Sequence, residues 1–277
     1  MKKVSAFLAF ICWAIIQPAF AEIIPAPTLV PIEAAIKEAD RDTLVIFDVD
    51  DVLIVAKDQI LQPQYKKFLE TLNKDIETRY SEKEAQKLWS IIRITYKNEL
   101  IDPKMVPLIQ ETQARGIKVI ALTNAMTGPF GEIPSLEDWR IEELESFEYV
   151  FKNSWNDIKP KIFSDLKTED PKRFSLFKAG ILFACGVSKG EVLKAFFLYT
   201  GLLPKKIIFI DDKKKNLESV ETFSNEAKIP FIGFHSIAVA ERPKSPLNEK
   251  RAKLQFEILE KEHKWLSDEE ADQWDQR

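Results

Sequence analysis

Three short runs of apolar, β-branched and aromatic residues punctuate the chain: LVIF at 44–47, VIAL at 119–122 and IIFI at 207–210. None alternates with polar residues, so each predicts a strand buried on both faces, as in a parallel sheet. PFIGF at 230–234 predicts a further strand. Between these runs the apolar spacing becomes helical. Tyr65, Phe68, Leu69 and Leu72 fall at i, i+3, i+4 and i+7, and Leu88, Ile91, Ile92 and Thr95 repeat the pattern less cleanly. Val106, Ile109 and Gln113 share another helix, which Gly116 ends, and residues 190–202 form one more before Pro204. Strand, helix, strand in this order predicts an α/β fold, a Rossmann-like doubly wound parallel sheet.

The same pattern divides the chain. Residues 22–53 and 103–240 make up the core, with a Pro-rich, extended leader at 23–31 and a short helix at 32–39. A mainly helical cap, residues 54–102, is inserted after the first core strand. A second insertion, about 128–187, is mixed, with a hairpin near 174–185. The tail, 241–277, is helical: a charged amphipathic stretch at 246–265 precedes SDEE at 267–270, which has the S-x-x-E form of a capping box. Trp265 and Trp274 are expected to pack on the domain.

Residues 1–21 read as a signal peptide. Lys2 and Lys3 precede an apolar run at 4–16, and AFA at 19–21 has the small-x-small form of a cleavage site. A run of about 13 residues is shorter than the ~20 of a spanning helix. Cleavage after Ala21 predicts a periplasmic or secreted protein with no membrane attachment, and takes the formal charge from -4 to -6 as Lys2 and Lys3 leave. A mildly acidic chain without a basic block is not built to bind nucleic acid, and the three lysines at 213–215 do not alter that. Cys12 leaves with the signal, so Cys185 has no partner for an internal disulfide. Two histidines, His235 and His263, argue against a zinc site.

In an open parallel sheet the crevice lies beyond the carboxyl ends of the strands. Asp48 and Asp50 follow the first core strand, Thr123 and Asn124 the second, and Asp211 and Asp212 the third. Lys189 opens the helix that leads into the third. Clustered carboxylates at the end of a buried strand call for a cation, most simply a metal ion. A DxD sequence also fits a metal-dependent glycosyltransferase holding a nucleotide-sugar, and an exported, non-catalytic binding protein could keep the same fold.

The motifs themselves resemble those of the haloacid dehalogenase superfamily, in particular its Mg²⁺-dependent phosphatases, and an uncharacterised signal-bearing bacterial branch of it. DVDDVL at 48–53 resembles the first motif, LTN at 122–124 the second, Lys189 in SKG the third, and DDKKKN at 211–216 the fourth, in the family's order. The resemblance implies an exported phosphohydrolase acting on a small phosphate monoester. Asp48 would be the nucleophile that forms an aspartyl-phosphate, and Asp50 the acid and then the base. Thr123, Asn124 and Lys189 would bind the phosphoryl group, with Lys178 and Lys194 as rival lysines. Mg²⁺ would be held by Asp48, Asp50 through its carbonyl, and the 211–212 pair, Asp212 ahead of Asp211. Asp50 favours a phosphatase over a dehalogenase. Two positions depart from the pattern: Asp51 stands where Gly is usual, and Asn216 replaces the last acid of the fourth motif.

Overall fold

A computed structural model describes residues 21–274; all of the expected signal peptide except Ala21 lies outside the described residues. The chain begins with strand β1 (Ala21–Ala26), helix α1 (Val30–Lys37) and strand β2 (Thr43–Phe47). A helical insert follows: β3 (Ile54–Ala56), α2 (Lys66–Arg79), α3 (Glu82–Thr95) and β4 (Asn98–Leu100). The core resumes with α4 (Met105–Ala114) and β5 (Lys118–Thr123). Next come α5 (Leu136–Ser146), β6 (Lys161–Ile162), β7 (Leu176–Lys178) and β8 (Ile181–Phe183). Then α6 (Lys189–Thr200), β9 (Lys206–Asp211), α7 (Lys214–Ala227) and β10 (Phe231–Ser236) alternate, and α8 (Glu249–Glu262) and α9 (Asp268–Trp274) form the tail.

The eight-stranded sheet runs in the order β1-β10-β9-β2-β5-β8-β7-β6, and its first six strands are parallel. The three apolar runs are its central strands, each buried throughout their apolar length. Alternate residues of β2 enter opposite layers. Val45 and Phe47 pack with α1 and α4, while Leu44 and Ile46 pack with Phe196 of α6 and Leu217 of α7. Full burial of each such side chain contributes roughly 1.5–3 kcal/mol. From β2 the chain steps outward to β5 and β8, then returns to the other side for β9 and β10. The strand order therefore reverses between β2 and β9, which is where a doubly wound sheet opens its crevice.

Three sequence readings gain detail. The Pro-rich leader is extended, and its first half is a sheet strand: β1 pairs with β10 from Ala21↔Phe231 to Ala26↔Ser236. The predicted hairpin is β7–β8, with β6 added antiparallel at its edge. The insert is not wholly helical, since β3 and β4 pair antiparallel at its base.

The tail packs on the insert rather than on the sheet. Ala252, Phe256, Leu259 and Trp265 share a cluster with Ile60, Ile76, Leu88 and Ile92. Buried Asp58 ties the two together, accepting from Trp265 Nε1 at 2.8 Å and from the Asp268 backbone N–H at 3.0 Å. Asp268 in turn accepts from the Gln59 N–H at 2.9 Å and pairs with Arg251. Asp58→Ala would orphan two donors, each costing about 1–3 kcal/mol. The expected result is a lower urea midpoint, with quenching of Trp265 by solvent; an unchanged midpoint would refute the latch.

Candidate functional site

Parallel pairing sets Phe47 beside Ile210, and the Asp48 N–H continues the ladder to the Ile210 carbonyl at 2.8 Å. Asp48 and Asp211 thus end neighbouring strands on the two sides of the switch point. Both are buried, Asp48 at 4% exposure and Asp211 at 0%. What permits this is Lys189. Its ammonium lies 2.7 Å from Asp48 Oδ1 and 2.6 Å from Asp211 Oδ2, with the side chain 2% exposed. Burial alone would lower the lysine, but Asp48 and Asp211 outweigh it and hold the ammonium charged. Lys178 instead pairs with Asp138, and Lys194 with Glu226.

Local packing fixes that lysine. Ser188 caps α6, its hydroxyl accepting from the Glu191 N–H, so Lys189 is the first helical residue. Gly190 lies against α7 so closely that an added Cβ would come within 2.2 Å of the Ser219 carbonyl oxygen. Only a residue without a side chain lets the two helices approach this far.

Asp211 and Asp212 play different parts. Asp211 Oδ1 accepts from the Lys213 N–H at 2.8 Å and from Asn216 Nδ2 at 2.9 Å, while Oδ2 accepts from Lys189. Its oxygens are committed to the protein. Asp212 Oδ1 is buried with no hydrogen-bond partner; the Lys213 ammonium stands 3.5 Å away. The Asp212 carbonyl meets His235 Nε2 at 2.9 Å. Oxygen atoms of Asp48, Asp211 and Asp212 lie within 4.8 Å of one another. Burial raises both Asp48 and Asp212, and their acidic neighbours add to it. Three acids against one buried ammonium, Lys189, and one half-exposed one, Lys213, leave the cluster short of positive charge.

The unusual Asp51 has a backbone reason. Its φ is +63°, the left-handed region in which Gly is at ease and Asp is among the better-tolerated alternatives. Its N–H donates to the Ile54 carbonyl at 2.9 Å, closing the turn that follows Asp50. Burial, then Asp212 and Asp50, push its carboxyl up to about 7.

Asp50 stands at the lip, its side chain half exposed, with Arg140 Nη2 3.1 Å from Oδ1. Thr123 is buried at the end of β5, and its hydroxyl accepts from the Ala125 N–H at 3.1 Å. Asn124 is exposed, with Oδ1 accepting from the Gly186 N–H at 2.8 Å. The close cluster is therefore Asp48, Lys189, Asp211 and Asp212. Asp50, Thr123 and Asn124 rim it and are held by other partners.

Sequence reasoning missed Arg140 and Arg93. Arg140, buried on α5, also meets Glu143 at 2.6 Å, and Glu143 accepts from Asn98 Nδ2 at 2.7 Å. Arg93 projects from α3 of the insert. Neither belongs to a motif, and helical spacing alone marks both as ordinary surface positions.

With this geometry in hand, the similarities are informative. The family described as "Protein of unknown function (DUF2608)" matches residues 25–272, which includes the core, the insert and most of the tail. The chain belongs to the DUF2608 family. A similar protein is "Uncharacterized protein RP296" of Rickettsia prowazekii (strain Madrid E), 24% identical over 98% of either chain. Another, from Chlamydia trachomatis serovar D, is 24% identical over 82% of each chain and bears the name "Putative outer membrane protein". No solved structure matches this DUF2608 protein. Among its described residues, no helix is long and apolar enough to cross a membrane.

The buried cluster makes a direct stability prediction for the DUF2608 core. Lys189→Met would leave Asp48 and Asp211 unpaired, a loss of about 3–5 kcal/mol. Asp211→Asn in the same chain should recover part of it. A buried carboxyl whose folded-state pKa is raised takes up a proton on folding, so stability rises as pH falls towards the ordinary carboxylate value. The Lys189→Met deficit should therefore shrink in acid. Urea unfolding in EDTA across pH tests this; a variant within 1 kcal/mol (about one small surface effect) of wild type at neutral pH would refute it.

Proposed function

We propose that this protein is an exported Mg²⁺-dependent phosphohydrolase that cleaves a small phosphate monoester through an aspartyl-phosphate, as its resemblance to haloacid dehalogenase-type phosphatases implies. The observation that carries the reading is the Asp48–Lys189–Asp211 cluster at the switch point, with a buried Asp212 oxygen beside it that accepts no hydrogen bond. The name of the chlamydial relative supports export.

The donor set fits the proposed ion. Every candidate ligand is a carboxylate or carbonyl oxygen, which suits a hard divalent cation, and Asp212 has an oxygen to offer. Asp48, Asp212 and the Asp50 carbonyl would hold Mg²⁺, which when bound supplies neutralising charge for the phosphoryl oxygens. Asp211 is left to orient Lys189.

In this reading Asp48 attacks phosphorus as the ester P–O bond breaks, and Asp50 gives a proton to the departing alkoxide. Water then attacks the aspartyl-phosphate and returns a proton to Asp50, freeing inorganic phosphate and Asp48. Lys189 stabilises the charge that spreads over the phosphoryl oxygens, and Thr123 offers its hydroxyl hydrogen to one of them. The helical insert, a cap over the crevice, limits access of bulk water.

The test is a phosphate-ester panel with Mg²⁺ and with EDTA. Turnover should need the cation and return on its replacement. Asp48→Asn should show none, and Asp50→Asn should slow about 10²–10⁴-fold, most for poor leaving groups. Acid-quenched Asp50→Asn given an aryl phosphate should carry one added phosphoryl mass, and Asp48→Asn should not. Wild-type turnover by Asp48→Asn, or sugar release from a nucleotide-sugar without ester hydrolysis, would overturn the proposal.

A further inference from the structure

Beyond Asp50 lies a cavity of about 260 Å³, lined by Asp50, Arg93, Asn124, Met126, Trp139 and Arg140 among others. That equals the volume of roughly nine waters, room for a leaving group on the order of ten non-hydrogen atoms. Arg93 and Met126 also line a second cavity of about 770 Å³, bordered by α2 and α3 of the insert.

The two arginines differ in how they are satisfied. Arg140 bonds Asp50 and Glu143, yet its Nε is buried without a partner. Arg93 has neither an ion pair nor a hydrogen bond among the described residues; its guanidinium faces the Phe130 ring at 5.5 Å. A guanidinium carries five N–H donors and keeps its charge, so holding one half-buried and unpaired is unfavourable unless an anion completes it. Burial lowers Arg93, and Arg140 beside it acts in the same direction. Tyr96, Asp50 and Glu143 offset this in part through space, but none of them pairs or hydrogen-bonds directly with the Arg93 guanidinium.

We propose that Arg93, with Arg140, forms a subsite for a second anionic group on the substrate's leaving portion, a carboxylate or a further phosphate. This deepens the phosphohydrolase reading and rests on it. Arg140 touches Asp50, the group that would protonate the leaving oxygen, so the subsite sits a few bonds from the ester being cleaved. An anion there would gain bidentate, charge-assisted bonds from Arg93 and Arg140, whereas a neutral alcohol would leave Arg93 as it is. Neutral sugars and nucleosides are disfavoured on the same ground.

Three esters on one carbon skeleton test it: glycerol 3-phosphate, 3-phosphoglycerate and glycerol 1,3-bisphosphate, with the full chain and Mg²⁺. Either or both anionic esters should exceed glycerol 3-phosphate in kcat/KM by about ten- to a hundredfold, the worth of one or two bonds to a charged group. Preference for one of them names the anion as carboxylate or phosphate. Arg93→Met should collapse the ratio towards one, mainly through KM, and Arg93→Lys should restore part of it. Calorimetry in the Asp48→Asn background should show the same loss in Kd for 3-phosphoglycerate. Turnover with a wild-type ratio near one, or a ratio that Arg93→Met leaves in place, overturns the subsite alone. No turnover of any ester overturns it together with the phosphohydrolase reading.

Discussion

The Lys189 ammonium lies within 2.7 Å of two buried carboxylates that end adjacent parallel strands, and much of the architecture exists to put it there. Asp48 and Asp211 are neighbours because the chain places β9 directly beside β2 after winding outward through β5 and β8. Without the ammonium, two charges would face each other in a medium that screens poorly. With it, the strands can end inside the protein on acidic side chains. The lysine must come from the helix between β8 and β9, and that helix must lie flush against α7, which is why Gly190 meets the Ser219 carbonyl. Topology, helix packing and charge are one constraint seen from three sides.

The same constraint explains the exchange within the fourth motif. Asn216 stands where the resembled family carries an acid, and its amide donates to Asp211. The charge that pairs with Lys189 comes from Asp211, five positions earlier in the chain and at the strand end itself. One carboxylate is thereby committed to the protein, which leaves Asp212 with the unpartnered oxygen.

Much of this was legible in the sequence because strands buried on both faces cannot hide their composition. LVIF, VIAL and IIFI each have apolar residues in a row, and the acids after LVIF and IIFI and the Thr123–Asn124 pair after VIAL mark their ends. Edge strand β1 was legible only as extended chain. Its Pro25 and Glu22 break any apolar run, and its place in the sheet is decided by β10, over 200 residues away. Asp51 was unreadable for a local reason: a left-handed turn asks for Gly, and Asp satisfies it without announcing the conformation. The joining of tail to insert rests on Asp58, Trp265 and Asp268, three residues that no local periodicity connects. Arg93 was illegible for the opposite reason. Arginine on an amphipathic helix is the commonest of solvated residues, and only its lack of partners in the folded chain sets it apart.

The charge of the site is divided by depth. At the strand ends, Asp48, Asp211 and Asp212 outnumber the two ammoniums beside them, Lys189 and the half-exposed Lys213, so the inner level is short of positive charge. At the lip, Arg93 and Arg140 face Asp50 and Glu143, and only Arg140 of the two cations is paired with them. In the proposed reading, a molecule carrying two anions would have a place for both, one at each level, with Asp50 between them. The core elements α6 and β9 fix the inner level, while the lip is built from α3 of the insert and α5 of the second insertion. Chemistry and selection can thus vary separately, because the residues that serve them lie on different parts of the chain.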